Sequence, residues 1–394
     1  MGHKQEGPHP LARRMEEIAP FHVMELLARA RALEAQGRSI IHMEIGEPDF
    51  VTPEPVVVAA HQALSAGKTS YTPSLGLPEL RLRISDYYRE HHGAQVAPER
   101  IIITPGASGA LLLSLGVLLD RDQQVMLADP GYPCNRHFAR FLEGRACSVP
   151  VDAAHRFQLS ADLIERHWNE QTIAALVATP SNPTGTIIER NEMMAMSDAV
   201  HARGGRLIVD EIYHGLIYEG DAPTALSLRD DLFVINSFSK YFCMTGWRLG
   251  WLVVPEGYER EVEKLAQNLY IAAPTLAQHA ALVAFEPETI AILEARKAEF
   301  RARRDLLLPA LRELGFIVPS EPQGAFYIYA DASAHTRDSH AFALQLLEQA
   351  GVAVTPGIDF GSHDAQRYLR FAYTTSQENL REGIERLRRF LHAR

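Results

Sequence analysis

The chain has 394 residues, of which 46% are hydrophobic and 22% charged, a composition typical of a folded globular protein rather than of a disordered chain or a fibre. Its length suits about two domains with sizeable cores, and its formal net charge of -10 opposes binding to nucleic acid, which is itself a polyanion. The 3 cysteines show no C-x-x-C spacing and the 17 histidines form no H-E-x-x-H pair, so we expect neither a disulfide framework nor a metal site.

The N-terminal segment shows no targeting pattern. Residues 1–20 mix His, Lys, Glu and Arg without an apolar stretch, and no run in the chain approaches the ~18 apolar residues of a membrane span. We therefore expect a cytoplasmic protein that is neither exported nor bound to a membrane. Residues 20–36 have the periodicity of a helix, end at Gly37 and lead into the apolar stretch 40–45.

The middle of the chain alternates short apolar runs with helical segments. Alternation of this kind favours an α/β fold, in which a mostly parallel central sheet is flanked by helices. Ligands of such sheets bind beyond the carboxyl ends of the strands, so the residues that follow each run are the candidates for a site. The predicted buried strands are residues 101–104, 125–128, 174–179, 207–210, 232–236 and 249–254.

The C-terminal part has a different pattern. A long charged helix is predicted from about residue 293 to 314, followed by short strands at 326–329 and 368–371 and an amphipathic helix at 378–391. This mixture predicts a second, smaller α+β domain. We expect residues 46–290 to form the large domain and residues 291–394 the small one, to which the N-terminal segment 1–45 also belongs.

Two loops that follow predicted strands carry residues suited to a flat, phosphorylated ligand. Gly106, Ala107 and Ser108 precede a helix predicted over residues 110–119, and small residues let the backbone N–H groups at a helix start approach a phosphate. A simple tight connection is the alternative. Tyr132, in a loop stiffened by two prolines, could stack on a heterocycle or pack as an ordinary capping residue.

Two further loops place polar side chains at strand ends. Asn182 lies between two prolines, where its amide could donate to a ring oxygen or form an Asx turn. Asp210 closes an apolar run and is followed by Tyr213. A buried carboxylate is costly to desolvate unless a cation pairs with it, and either a protonated pyridine nitrogen or an arginine could supply that cation.

The segment N-S-F-S-K-Y at residues 236–241 restricts the function most. Lys240 lies just past a predicted strand, and lysine is the side chain that condenses with aldehydes to form Schiff bases. Ser237, Ser239 and, eight residues beyond the lysine, Arg248 supply hydroxyl and guanidinium donors for a dianionic phosphate. A lone lysine after a strand is usually a solvated surface residue, and this combination argues against that interpretation.

Together these motifs resemble the class I/II aminotransferases of fold type I, in the aspartate aminotransferase superfamily, over most of the chain. The resemblance implies that pyridoxal 5′-phosphate is the cofactor and that Lys240 holds it as a Schiff base and then acts as general acid and base. It also implies that Asp210 pairs with the pyridinium nitrogen. Asn182 and Tyr213 would bond to the 3′ oxygen of the ring, and Tyr132 would stack over it. The phosphate would be bound by Gly106, Ala107, Ser108, Ser237, Ser239 and Arg248.

The resemblance extends to the substrates and to a second subunit. Arg370 would grip the substrate α-carboxylate, with Gly46 and Asn182 as further substrate contacts. Tyr71 would reach the phosphate bound by the partner subunit, which implies a homodimer. Some relatives with acidic substrates place a lysine where this chain has Ser108, so that contact to a side-chain carboxylate is missing here, although another residue could supply it.

The implied reaction transfers an amino group from an L-amino acid to a 2-oxo acid in a ping-pong sequence. A β-eliminating carbon–sulfur lyase or a related synthase on the same scaffold is the alternative, because Lys240, Asp210 and Arg370 would serve those reactions as well. A cofactor-sensing regulator fused to a DNA-binding module is not expected. The segment before residue 45 shows a single helix pattern rather than a helix-turn-helix.

Overall fold

The computed structural model describes residues 11–393, and the expectations for residues 1–10 lie outside that range. In chain order the strands are β1 (Ile41–Met43), β2 (Ile101–Thr104), β3 (Gln124–Asp129), β4 (Arg145–Pro150), β5 (Thr172–Ala178), β6 (Arg206–Asp210), β7 (Phe233–Ser237), β8 (Gly250–Val253), β9 (Tyr327–Asp331), β10 (Val352–Pro356) and β11 (Tyr368–Ala372). The α-helices are α1 (His22–Glu34), α2 (Glu54–Ser65), α3 (Pro78–His92), α4 (Gly106–Leu118), α5 (Cys134–Phe141), α6 (Ala161–His167), α7 (Arg190–Ala202), α8 (Glu259–Leu269), α9 (Thr275–Ala281), α10 (Pro287–Glu313), α11 (Ser339–Gln345) and α12 (Gln377–His392).

The larger sheet has seven strands in the order β2-β8-β7-β6-β5-β3-β4. The run from β7 to β4 is parallel, whereas β8 pairs antiparallel with both β7 and β2. Strands β2, β7 and β8 are buried at every position, as expected where helices cover both faces of a sheet. The predicted α/β fold with a mostly parallel central sheet is therefore confirmed. Because β5, β6 and β7 are parallel neighbours, the loops that follow them leave the sheet at one edge.

The smaller sheet has four strands in the order β1-β10-β11-β9. The N-terminal strand β1 pairs parallel with β10, and the other two pairings are antiparallel. Helix α1 packs on β10, and α12 packs on α10 and β1. The two ends of the chain thus meet in one sheet. Helix α10 runs across the predicted boundary between residues 290 and 291, and the division into domains stays a prediction.

Several predicted boundaries differ from the structure. Helix α4 begins at Gly106 rather than at residue 110, so the small residues predicted as a turn before the helix form its first turn. Helix α10 begins at Pro287, six residues before the prediction, because proline is well suited to the first helical position, where its missing N–H is not needed. Strands β4 and β10 were not predicted. β4 is a partly exposed edge strand of mixed polarity, so its residues lack an unbroken apolar run.

No α-helix within residues 11–393 combines the length and the apolar character that crossing a bilayer requires.

Gly250 at the start of β8 lets this strand pass directly beneath the first turn of α4. A Cβ atom at this position would lie 2.8 Å from the carbonyl carbon of Gly106, 2.9 Å from the oxygen of Asn236 and 3.0 Å from the nitrogen of Ala107. All three are backbone atoms, which cannot rotate away as a side chain can. The absence of a side chain at Gly250 therefore fixes the distance between the central sheet and the start of α4.

We predict that Gly250→Ala lowers the free energy of unfolding by about 1–3 kcal/mol, because the added methyl group overpacks against backbone. Gly246→Ala is the matched control, since a Cβ at the exposed Gly246 meets no atom within 4 Å. Its effect should stay within about 0.5 kcal/mol. Urea unfolding followed by circular dichroism measures both changes, and equal stability of the two variants would contradict the close approach.

Candidate active site

A cavity of about 280 Å³ lies at the carboxyl ends of β6 and β7, closed on one side by α1 and the segment that follows β1. It brings together eleven of the fourteen predicted site residues, although they are scattered over more than 320 positions of the sequence. These eleven are Gly46, Ala107, Ser108, Tyr132, Asn182, Asp210, Tyr213, Ser239, Lys240, Arg248 and Arg370. Gly106, Ser237 and Tyr71 do not line it.

The first turn of α4 and Arg248 form one end of the cavity. No side chain caps this helix start, so the first N–H groups are free to bind an anion. Gly106 lies behind the guanidinium, where a Cβ atom would come within 2.6 Å of Arg248 Nη2. Arg248 has a left-handed backbone, with φ at 55°, and its Nη1 donates to the carbonyl of Thr245 at 3.1 Å. Backbone strain of this kind persists only where the surroundings enforce it, and it holds the cation beside the free N–H groups.

Ser237 is buried behind this end of the cavity. Its hydroxyl donates to the carbonyl of Leu249 at 3.2 Å and accepts the backbone N–H of Ser239 at 3.0 Å. Both contacts are internal to the protein, so Ser237 orients Ser239, and Ser239 lines the cavity.

Asp210 lies at the end of β6 with 5% of its surface exposed. One carboxylate oxygen, Oδ1, accepts the backbone N–H of Ile212 at 3.0 Å. Burial raises the pKa of this carboxyl from 3.8 to about 7, and neither the hydrogen bond nor the charge of Lys240 offsets that effect. The site therefore holds an acid that would gain from a cationic partner.

Lys240 follows β7 and lines the same cavity as Asp210. Its Nζ donates to the carbonyl of Gly46 at 2.5 Å. Burial lowers the pKa of this amine from 10.5 to about 8, although the nearby carboxylate of Glu47 favours the charged form. The lowered pKa makes the uncharged amine, which is the form that attacks a carbonyl carbon, more accessible near neutral pH than it is for a lysine in water.

Arg370 in β11 is held rigidly above the cavity. Its Nη1 donates to Asn182 Oδ1 at 2.9 Å and its Nη2 to the carbonyl of Glu44 at 2.5 Å. The guanidinium lies over the rings of Tyr327 and Phe360, with centroids 4.3 and 4.8 Å away. Its Nε is buried and has no hydrogen-bond partner among residues 11–393. A cation with an unused donor is suited to binding an incoming anion.

Tyr327 is a site residue that the sequence did not reveal. Its hydroxyl lies 2.8 Å from that of Tyr213, and a Cβ on Gly46 would come within 2.2 Å of the same oxygen. Position 46 is therefore a glycine because the Tyr327 hydroxyl occupies the adjacent space. The sequence predicted only a short strand at residues 326–329 here. The cavity-facing side of a strand cannot be assigned until its partner sheet is known.

The sequence also did not reveal that α1 forms a wall of this cavity. An amphipathic pattern shows that a helix packs on something, but does not distinguish a core from a cavity. The side chains concerned are Phe21, Val23, Met24 and Leu27, and the adjoining acids are Glu44 and Glu47.

Tyr71 points away from this cavity, and 80% of its surface is exposed. Its neighbours on both sides are anchored to α9, since Thr275 Oγ1 donates to the carbonyl of Ser70 at 2.8 Å and Gln278 Nε2 donates to Thr72 Oγ1 at 2.9 Å. The loop is thus fixed while its aromatic ring projects outward.

The cavity fits pyridoxal 5′-phosphate. Free N–H groups and Arg248 suit a phosphate, the uncompensated acid Asp210 suits a ring cation, and Lys240 suits an aldehyde. Each of the three groups of that cofactor finds a chemically matched partner among residues that line one space.

Comparisons with known proteins agree with this interpretation. Residues 38–387 match the family described as "Aminotransferase class I and II". The chain is 38% identical to a (5-formylfuran-3-yl)methyl phosphate transaminase of Methanocaldococcus jannaschii, over 97% of this chain and 100% of the relative. It is also 38% identical to a valine–pyruvate aminotransferase of Mycobacterium tuberculosis, over 94% of this chain and 96% of the relative. A crystal structure of an aminotransferase from Mycobacterium tuberculosis superposes with a TM-score of 0.94 at 37% identity, over 98% of this chain and 100% of the other.

We predict that Asp210→Asn stabilises the cofactor-free protein, and that it does so more at pH 8 than at pH 5. The folded state binds the Asp210 proton more tightly than the unfolded chain, with a pKa of about 7 against 3.8. Stability is therefore lost as the pH rises through this window, and an amide, which does not ionise, avoids the loss. The gain at pH 8 should be about 2–4 kcal/mol, measured by chemical denaturation.

Glu211→Gln is the control for this prediction. Glu211 is equally buried, but its carboxylate accepts the Thr224 hydroxyl at 2.8 Å and the Ala225 N–H at 2.7 Å. Its replacement should destabilise the fold because two charge-assisted hydrogen bonds weaken. A wild-type protein more stable than Asp210→Asn at pH 8 would show that Asp210 already has a cationic partner.

Proposed function

The chain belongs to the class I and II aminotransferase family, and on that premise we propose that Lys240 is the residue that carries the cofactor and transfers the proton. Membership makes the protein a pyridoxal-phosphate-dependent enzyme that moves amino groups between amino acids and 2-oxo acids. The observation that supports the assignment is the pair of opposite shifts at Asp210 and Lys240, each of which adapts one group to one part of this cofactor.

The proposed binding roles follow the order of groups along the cavity. The phosphate would be held by the N–H groups of α4, by Arg248 and by Ser239, with Gly106 and Ser237 behind them. Asp210 would bind the protonated ring nitrogen. The Asp210 carboxyl would then lose its proton, since a nearby cation favours the carboxylate. Tyr132 would cover a ring face. When bound, the cofactor supplies an aldehyde that takes up the amino group and a cationic ring that withdraws electrons from the substrate Cα.

The proton transfer is the task of Lys240. Burial lowers the pKa of Nζ to about 8, which is closer to the neutral range in which a general base works best. Nζ takes the proton from Cα and returns it on the cofactor side. The carbonyl of Gly46, 2.5 Å from Nζ, stabilises the ammonium form between these two steps.

Substrate orientation would come from Arg370 and Asn182. The planar guanidinium suits a two-point contact with the α-carboxylate, and its contacts with Asn182 and with the carbonyl of Glu44 fix its plane beforehand. A fixed carboxylate limits rotation of the substrate, so that the Cα–H bond faces Lys240. Asn182 and Tyr213 would in addition contact the 3′ oxygen of the cofactor.

We predict that borohydride reduction of the holoenzyme attaches the cofactor to Lys240. Lys240→Ala should lose the visible absorbance of the linked cofactor and at least about 10²–10⁴-fold in turnover, because the amine that moves the proton is gone. Peptide mapping of the reduced protein and single-turnover absorbance measure both. A label on another lysine would overturn the assignment. Release of pyruvate and ammonia in place of a new amino acid would instead indicate the eliminating lyase.

We also propose that the enzyme is a homodimer in which Tyr71 completes the phosphate site of the partner. The ring is exposed and held outward by its anchored loop. Further exposed apolar side chains, Val58, Leu64, Leu269 and Ile271, lie on α2 and at the end of α8. A contiguous patch of exposed apolar surface is characteristic of an interface between subunits, and these four side chains are our candidates for it.

Mixed dimers test this arrangement. Tyr71→Phe alone should weaken cofactor binding by about tenfold, the effect of losing one hydrogen bond to a charged group. A dimer of one Tyr71→Phe chain and one Lys240→Ala chain contains one site with both Lys240 and Tyr71. It should therefore regain activity at limiting cofactor concentration. If Tyr71 served the site of its own chain, the mixed dimer would show no gain over the parent variants.

A role in amino acid biosynthesis, in the reducing cytoplasm, is the setting we propose for this activity. The three cysteines, Cys134, Cys147 and Cys243, are all unpaired, as is usual for proteins of that compartment.

A further inference from the structure

One acid in the cavity has no role in the reaction described above. Glu44 follows β1, is fully buried and lines the same cavity as Lys240 and Arg370. Its carboxylate oxygen Oε1 lies 2.7 Å from His42 Nδ1. Its other oxygen, Oε2, is also buried and has no hydrogen-bond partner among residues 11–393. A buried acceptor left without a donor is costly, so this oxygen is suited to a donor that arrives from outside the protein.

His42 forms a hydrogen bond with only one of the two carboxylate oxygens of Glu44. Its Nε2 lies 3.2 Å from Glu34 Oε1, so both ring nitrogens face carboxylates and both carry protons. The chain of Glu44, His42 and Glu34 then holds two negative charges and one positive charge. The hydrogen bond to Glu44 accordingly raises the pKa of His42 to about 9. The excess negative charge favours a cationic or strongly polarised donor at Oε2.

The cations of the cavity are already engaged. Among the described lining residues they are Lys240, Arg248 and Arg370, which are assigned to the aldehyde, the phosphate and the α-carboxylate. Glu44 and Glu47 remain on the substrate side. A second carboxylate on the substrate would meet two acids and no free cation, which opposes dicarboxylic amino acids.

The wall beside Glu44 is apolar and fixed. Phe21, Val23, Met24 and Leu27 of the α1 region line it. The Asp359 carboxylate accepts the N–H groups of His22 and Val23, each at 2.9 Å, and so anchors the start of α1. A methylene chain or an aromatic ring would bury apolar surface against this wall on its way to the acid.

We propose that this cavity selects amino donors whose side chain has an apolar stem and ends in an ammonium or hydroxyl group, and that this group donates to Glu44 Oε2. The inference rests on the proposed transamination, because it concerns the side chain of the substrate. Glu44 is a specificity residue in this role and takes no part in the proton transfer.

The test measures binding of carboxylates by calorimetry to the holoenzyme in its aminated form, whose cofactor has no aldehyde that could condense with an amine. Butanoate, pentanoate and hexanoate are compared with their ω-amino counterparts, and 3-phenylpropanoate with its para-hydroxy counterpart. For at least one pair the donor-bearing ligand should bind about 10- to 100-fold more tightly, as expected for a hydrogen bond to a charged acceptor. The amino and hydroxy pairs identify which donor is preferred. No preference in any pair would overturn the proposal.

Three variants locate the effect. Glu44→Gln keeps the shape but removes the charge, so the preference should fall below about threefold. Glu44→Asp withdraws the carboxylate by one methylene, so the preferred ω-amino ligand should become one carbon longer, which loss of structure alone would not produce. Glu34→Gln should lower the preference less than Glu44→Gln does, because Glu34 touches only the far side of His42 and does not line the cavity. A preference that survives Glu44→Gln would overturn the assignment of Glu44.

Turnover of the corresponding amino acids separates this inference from the proposed function. Single-turnover absorbance of the cofactor is recorded with norleucine, lysine, phenylalanine and tyrosine. If neither these nor any other proteinogenic amino acid reacts while the donor preference in binding persists, the transamination assignment fails and the role of Glu44 stands. If they react but no pair shows a preference in binding, the role of Glu44 fails and transamination stands.

Discussion

Desolvation of two opposite charges at one edge of a parallel sheet is the constraint on which the site depends. Asp210 and Lys240 lie at the ends of neighbouring strands. Burial favours the neutral form of each group: it raises the pKa of the Asp210 carboxyl and lowers the pKa of the Lys240 amine. In water the carboxyl would be ionised and the amine protonated near neutral pH. The fold thus produces a proton-accepting amine and an acid in need of a cation by excluding water around both.

The substrate side of the site depends on a second element of the fold, the sheet that joins the two chain ends. Arg370 in β11 and the segment after β1 come from opposite ends of the sequence. They are connected through the carbonyl of Glu44, which accepts from Arg370 Nη2. The residue that would bind the carboxylate and the wall that would contact the side chain are therefore parts of one rigid unit. A unit of this kind can set the orientation and the selectivity of the substrate together.

Local conformations that are unfavourable by themselves concentrate at these contacts. Arg248 adopts a left-handed backbone beside Gly106, and Gly46 and Gly250 are the positions where a hydroxyl or a backbone approaches too closely for any side chain. The surrounding sheet and helices hold the strained backbone of Arg248 in place. The cationic end of the cavity therefore needs no rearrangement to bind an anion.

The sequence by itself determined the class of fold, the strands β2, β6 and β7, and the chemistry at their ends. Unbroken apolar runs require buried strands, and a lysine between hydroxyls with a nearby arginine suits few reactions. Only the tertiary structure decided that Ser237 lies behind the cavity, that Tyr71 projects outward, and that Tyr327, Glu44 and the face of α1 line the cavity. These facts depend on contacts between residues up to hundreds of positions apart. Local periodicity carries no information about which element will cover a given face.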